Sequence, residues 1–506
     1  MVSEDTSIYQ VFVRNFTEQG TLAAATERLQ SIRSLGFDWV YLTPVQPIGQ
    51  AGRKGTHGSP YAITDYRSIN PDLGTMEDFG AFVAEAHRCG LKVMLDVVYN
   101  HTSPDSVLAR EHPEWFLHDE NGALSRKCAD WSDVVDLDYG SSPQLWLELL
   151  DTLAMWRDLG VDGFRCDVAT LVPVDFWHQA RERTNRRDPA TKQDSYPLAW
   201  LAESTHPHFL KSMRDRGYGA WSEPELHTAA FDLSYDYDGW EKLEPIWKGE
   251  RSVRSYLEFL FIQETLYPKG SRKIRFLENH DQERAASRFT SPALLKAWTV
   301  LSQFVPGVTF AYMGQEYAIA HRPSLFDKDP VDWRGGDPSF FSFFRDSLAG
   351  TRAAKQRAPF FAWRDLGGDC FLLERFVSPP QLTGVASELP PALALRASLS
   401  TVQASTSSSA SPGAKPCAWA LVNLSARTSA ACADASVHAN AAARPRATAR
   451  TSAACAGASA PTAPYVDLPE PIEGYDFVSH KKVALCGRIQ VPNEPLLVLR
   501  DLENAH

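Results

Sequence analysis

No stretch of the 506-residue chain approaches the roughly 18 consecutive apolar residues needed to cross a bilayer, so the sequence predicts no membrane-spanning helix and no membrane partner. Met1 to Asp5 lacks the basic character of a secretory or transit leader, and a cytoplasmic protein is expected. Excess positive charge is missing too: 51 Lys and Arg stand against 62 Asp and Glu, a net charge of −11, which argues against nucleic acid as a partner. Cysteine is sparse, eight residues with no CxxC spacing, so neither a zinc site nor a redox motif nor a disulfide framework is expected. What is present is a globular composition, 44% apolar and 11% aromatic, enough for a large core.

Short β-branched or aromatic runs alternate with amphipathic helical stretches as far as about residue 355, the pattern of repeated strand-helix units on parallel strands. Ile8 to Phe12 reads as the first strand. Leu22, Ala25, Leu29, Ile32 and Leu35 then recur at helical spacing, Gly36 closes that helix, and Trp39 to Thr43 is the second strand. Strands near 91–97, 161–166, 198–202, 229–233, 273–278 and 308–312 complete eight, predicting an α/β fold of the (β/α)8 barrel type. The barrel is expected over 1–99 and 143–365. The irregular stretch between them, 100–142, is longer than an ordinary loop and reads as a small inserted domain. Residues 366–506 read as a C-terminal antiparallel β domain. It is interrupted at about 398–418 and 425–463 by Ala/Ser/Thr-rich tracts; 26 of the 39 residues of the second are of these three types, and both are expected to be disordered insertions.

Ionisable and aromatic residues gather just after the expected strands, where a barrel displays its functional groups. The clusters are Gly58-Ser-Pro-Tyr61 with Asp65 and Tyr66, Asp96 with Asn100 and His101, Arg165-Cys-Asp167, Glu203, and Glu278-Asn-His280-Asp281. Three carboxylates, Asp167, Glu203 and Asp281, are expected to converge over the barrel mouth, with Arg165 on the same side of its strand as Asp167. A guanidinium lowers a carboxylate's pKa, and crowding by negative neighbours raises another's, so one group is expected to be a nucleophile and one an acid. Glycosidic cleavage uses such a pair. His101 and His280 can hydrogen-bond sugar hydroxyls, and Tyr61 offers a face for a pyranose ring.

In this order and after these strands, the clusters resemble the signature regions of the α-amylase family (glycoside hydrolase family 13) of retaining glycoside hydrolases and transglycosidases. The resemblance covers about 1–375 and includes Leu35 to Pro47, Val135 to Asp138 and Tyr312 to Glu316. It implies Asp167 as nucleophile, Glu203 as general acid/base and Asp281 as the carboxylate that stabilises the transition state. It further implies Arg165, His101, His280 and Tyr61 as substrate-binding residues and Asp96 as the support of Arg165. The tail resembles the family's C-terminal β-sandwich. The implied activity is hydrolysis of α-glucosidic bonds in α-glucans or maltooligosaccharides, with transglycosylation on the same site as the alternative.

Two departures bear on the substrate. Thr170 and Leu171 stand where many starch-cleaving members carry Lys-His, and Gly58 stands where exo-acting glucosidases often place Asp. Asn100 matches a calcium-binding position of many amylases, but Leu171 replaces a further contributor and no Asp-x-Asp-x-Asp loop occurs, so no cofactor and no required calcium are expected. The rival readings are a carbohydrate-binding barrel without catalysis, which would lack one of the three carboxylates, and a metal-dependent barrel hydrolase or lyase, which would carry no arginine aimed at one of them. Glu278 and Glu316 are expected to brace loops, Trp115 to pack, and His57, His87, His178 and His438 to be structural.

Overall fold

The computed structural model describes residues 2–187, 194–380, 416–424 and 465–500. Eight parallel strands close into a barrel: β1 Ser7–Val11, β2 Trp39–Leu42, β3 Lys92–Val98, β4 Gly163–Asp167, β5 Ala199–Ala202, β6 Leu233–Tyr235, β7 Arg272–Arg275 and β8 Val308–Tyr312. Consecutive strands are neighbours and β8 pairs with β1, Ser7 opposite Thr309. Alternation along each strand separates two cores. Ile8, Trp39, Tyr41, Met94, Leu201, Leu233, Ile274 and Phe310 fill the interior, while Tyr9, Val11, Val40, Leu42, Val93, Leu95 and Val97 face the helices. Gly163 belongs to this packing, because a Cβ there would stand 2.6 Å from the Ala199 carbonyl oxygen and 3.2 Å from the Trp39 ring.

Helix boundaries follow local chemistry. Thr75 and Asp78 form a capping box at the start of Met76–Arg88, and Pro143 opens Pro143–Asp158 after the cap Ser142. The helix expected from Leu22 to Leu35 is two, Leu22–Thr26 and Leu29–Ser34. Thr26 back-bonds to the Leu22 carbonyl, and the Arg28 guanidinium at the break lies 4.8 Å from the Trp333 ring centroid. The sixth strand starts later than expected because the Ser222–Glu225 capping box carries a helix through Ala229.

Within 100–142, His101–Thr102 pairs with Val135–Asp136, and Trp115 is buried against the main core, as expected of a packing residue. The C-terminal sheet begins at Phe360, ahead of the expected 366, since Phe360–Gly367 and Cys370–Phe376 form a hairpin through Gly368 and Asp369, both at positive φ. Six antiparallel strands make this sheet, with Ala418–Asn423 and Leu496–Leu499 at its centre. Phe371, Leu373, Ala420 and Leu497 join the barrel-side core, whereas Leu372, Trp419 and Val498 pack on the other face with Leu468 and Ile489 around the ribbon of Tyr465–Asp467 and Arg488–Gln490. The 425–463 tract, His438 and most of the 398–418 tract lie outside the described residues. No helix among the described residues is long and apolar enough to cross a membrane.

Candidate active site

The inward face of the strands changes character towards their C-terminal ends: Ile8 gives way to Gln10, Met94 to Asp96, Gly163 to Arg165 and Asp167, Leu201 to Glu203. Strand register sets Asp96 directly beside Arg165. The fully buried Arg165 is the hub. Its Nη1 donates to Asp96 Oδ1 at 2.9 Å and to Asp167 Oδ1 at 2.8 Å. Its Nη2 stands 2.7 Å from Glu203 Oε1 as an ion pair without hydrogen-bond alignment. The rings of Tyr61 and Tyr235 each lie 5.6 Å from the guanidinium carbon, which holds its plane.

The two oxygens of Asp167 are unequal. Oδ1 accepts from Arg165, while Oδ2 is buried with no hydrogen-bond partner in the protein. Glu203 Oε2 accepts the backbone N–H of Val168 at 2.8 Å. Burial pushes Glu203 up to about 8, Arg165 opposing and Asp167 and Asp281 adding to the rise. Asp167 is also raised: burial outweighs Arg165, contrary to the expectation that the guanidinium would hold it low. Arg165 nevertheless donates an aligned bond to Asp167 and none to Glu203, which favours the charged form of Asp167 over that of Glu203.

A second chain of hydrogen bonds crosses the mouth. Gln10 Nε2 lies 2.8 Å from His280 Nδ1, His280 Nε2 lies 2.6 Å from the Tyr61 hydroxyl, and that hydroxyl donates to Asp96 Oδ2 at 3.0 Å. Tyr41 donates to the same oxygen at 2.6 Å. The Tyr61 and His280 rings are near-parallel, 20° apart with centroids separated by 5.4 Å. Burial lowers His280 to about 4 and leaves it neutral near pH 7. Asp281 pairs with His280 Nε2 at 3.1 Å and is the most exposed of the three carboxylates.

His101 approaches from the other side, its Nε2 3.8 Å from Asp167 Oδ2; burial lowers it to about 4 as well. Its Nδ1 meets Asn100 Nδ2 at 3.0 Å, and Asn100 Oδ1 accepts from the buried Lys127 ammonium at 2.8 Å. Lys127 also pairs with Asp136 Oδ2 at 3.2 Å. A divalent cation at oxygen-ligand distance from Asn100 would share that space with the ammonium. Among the described residues no group of three or more His, Cys, Asp or Glu could hold a metal ion.

Tyr61, Asp96, Asn100, His101, Arg165, Asp167, Glu203, His280 and Asp281 therefore lie in one connected cluster. Gln10, Tyr41, Lys127, Val168 and Tyr235 were not singled out. A polar Gln10 inside an apolar strand and the inward alternation of Tyr41 were the available signals; Lys127 and Val168 had none. Glu278 accepts from Arg284 and the Ala285 N–H, and Glu316 from Tyr9 and the Gly314 N–H, the loop bracing expected of them.

A closed parallel barrel with an arginine-centred carboxylate cluster at the C-terminal mouth is the architecture of a (β/α)8-barrel enzyme. Residues 10–131 match the α-amylase catalytic domain. Over 98% of both chains the protein is 35% identical to an α-amylase from Lactobacillus plantarum of known crystal structure, with a TM-score of 0.76. The chain belongs to the α-amylase family, glycoside hydrolase family 13. Alpha-amylase MalA of Haloarcula japonica is 30% identical over 361 residues, 69% of this chain and 49% of that protein. The α-1,4-glucan:maltose-1-phosphate maltosyltransferase of Salinibacter ruber is 39% identical over 252 residues, 43% of this chain and 38% of that one. The chain thus spans about half or less of the length of these two curated relatives.

Proposed function

We propose that the protein hydrolyses α-glucosidic bonds of α-glucans or maltooligosaccharides with retention of configuration. The observation that carries this reading is the asymmetry of Asp167: one oxygen fixed by Arg165, the other buried and free beside a carboxyl raised to about 8. Oδ2 of Asp167 attacks the anomeric carbon while the Glu203 proton passes to the glycosidic oxygen, whose bond to that carbon breaks. A water then gives its proton to Glu203 and its hydroxyl to the anomeric carbon, freeing Asp167. Arg165 holds the nucleophile in place, Asp96 holds Arg165, and Asp281, His280, His101 and Tyr61 bind the sugar in the ring that is attacked.

A second reading, transfer of the glycosyl group to a sugar hydroxyl, shares the first half of this sequence and is favoured by the 39% identity to a maltosyltransferase. Incubation with maltooligosaccharides and product identification tests both. Shorter products with one new reducing end per cleavage support hydrolysis; products longer than the substrate at constant reducing ends support transfer. Absence of any reaction on α-glucans contradicts both.

A further inference from the structure

We propose that Lys127 is a positioning residue of the reaction centre: as a built-in cation it fixes the Asn100 amide, and through it the tautomer of His101, where a bound metal ion would otherwise be needed. The inference rests on the reading of Asp167 as the reacting carboxylate. Lys127 comes from the segment between β3 and β4, and its backbone is tied at both ends: its N–H donates to Asp136 Oδ2 at 3.0 Å, and its carbonyl accepts from Arg216 at 2.8 Å. The ammonium is thereby delivered, buried, between Asn100 Oδ1 and Asp136 Oδ2.

An ammonium has donors only, so the Asn100 atom facing it must be the carbonyl oxygen. The amide nitrogen then faces His101 Nδ1 at 3.0 Å and donates to it. His101 Nδ1 is left as an acceptor, and its proton sits on Nε2, the nitrogen 3.8 Å from Asp167 Oδ2. A wrongly flipped Asn100 would put the proton on Nδ1 and present a lone pair to the carboxylate. The charge is needed as well as the hydrogen bond. Asp136 is fully buried and its Oδ1 has no partner, so Lys127 is the ion that offsets it. With Nζ already at 2.8 and 3.2 Å from these two oxygens, a calcium ion, which takes six to eight oxygens at roughly 2.3–2.6 Å, does not fit beside it.

The test combines histidine 15N NMR, melting and kinetics on the full chain. Lys127→Met leaves Asp136 uncompensated and risks misfolding, so Lys127→Met/Asp136→Asn, which removes both charges, is made alongside it. In the wild type, His101, assigned by its loss in His101→Gln, is expected as the Nε2–H tautomer, and neither EDTA nor calcium should move Tm. The double variant should fold, show His101 shifted towards Nδ1–H, and lose kcat on a maltooligosaccharide about ten- to a hundredfold. Lys127→Ala should regain part of its kcat with methylammonium. Nε2–H retained with unchanged kcat in the folded double variant would overturn the proposal, as would a wild-type Tm lowered by EDTA and restored by calcium. Turnover retained by Asp167→Asn would instead sink the catalytic reading, leaving the tautomer measurement to judge Lys127 alone.

Discussion

The backbone N–H of Val168 donates to Oε2 of Glu203 at 2.8 Å, so the residue that follows Asp167 in the chain holds the carboxyl that lies beyond the next strand. It does so at φ 40° and ψ 43°, a left-handed conformation rare for a β-branched residue and costing on the order of 1–3 kcal/mol. The left-handed residue thus stands where the strand end carrying Asp167 is tied to Glu203.

Val168→Ala and Val168→Gly should reverse their usual order of stability. Both lose the packing of Val168 against Leu171, Met213 and Ala220, about 2 kcal/mol, but only glycine relieves the left-handed backbone, worth about 1 kcal/mol. Thermal unfolding of the two variants checks this: the glycine variant should melt no lower than the alanine one, and a clearly lower Tm would show that the backbone there is unstrained.

Glu203→Gln should abolish turnover of natural glucans yet keep substantial activity on an activated aryl glucoside, whose leaving group departs unprotonated. In the wild type, kcat/KM should fall on the alkaline side near pH 8 as Glu203 loses its proton, and its acidic limb should lie above the ordinary carboxylate range because burial raises Asp167. The variant should lack the alkaline limb on the activated substrate; equal losses on both substrates would remove Glu203 from the role of acid.

The same carboxyl makes stability depend on pH with a definite sign. Glu203 rises from 4.5 in the unfolded chain to about 8 in the fold, so between these values the native state holds a proton that the unfolded state lacks. Its contribution is complete below about 4.5 and fades as pH rises towards 8. The Tm of Glu203→Gln relative to wild type should therefore grow across that window; a constant difference would mean Glu203 titrates normally in the fold.

Arg165→Lys should lower kcat a hundredfold or more, on the order of 3 kcal/mol of barrel-mouth organisation, although charge is kept. One ammonium cannot replace both a nitrogen shared by Asp96 and Asp167 and a second nitrogen beside Glu203, nor present a flat face to the two tyrosine rings. Turnover and Tm measured on one preparation separate the cases: lost Tm with unchanged kcat would make Arg165 a structural residue only.

Much of this was legible because strand alternation is local. Asp96 follows Met94, Arg165 follows Gly163, Asp167 follows Arg165 and Glu203 follows Leu201 at a spacing of two, so their shared inward face could be read from spacing alone. What closes the site could not. The Val168 backbone is set by the packing of its neighbours, and Lys127 reaches Asn100 through a fold of the 100–142 segment whose path no periodicity encodes. Asp167 shifts opposite to the direction its sequence neighbours suggest for a related reason: Arg165 is visible in the sequence at two residues' distance, whereas the depth of burial that outweighs it is a property of the whole barrel.

The most direct test of the central claim is to trap the glycosyl-enzyme. Incubating Glu203→Gln with a fluorinated α-glucosyl fluoride, which forms the ester quickly and releases it slowly, followed by mass spectrometry of the intact protein and its peptides, should show one added sugar, carried by Asp167. A sugar on any other residue, or turnover of the reagent with no adduct at all, would contradict the account.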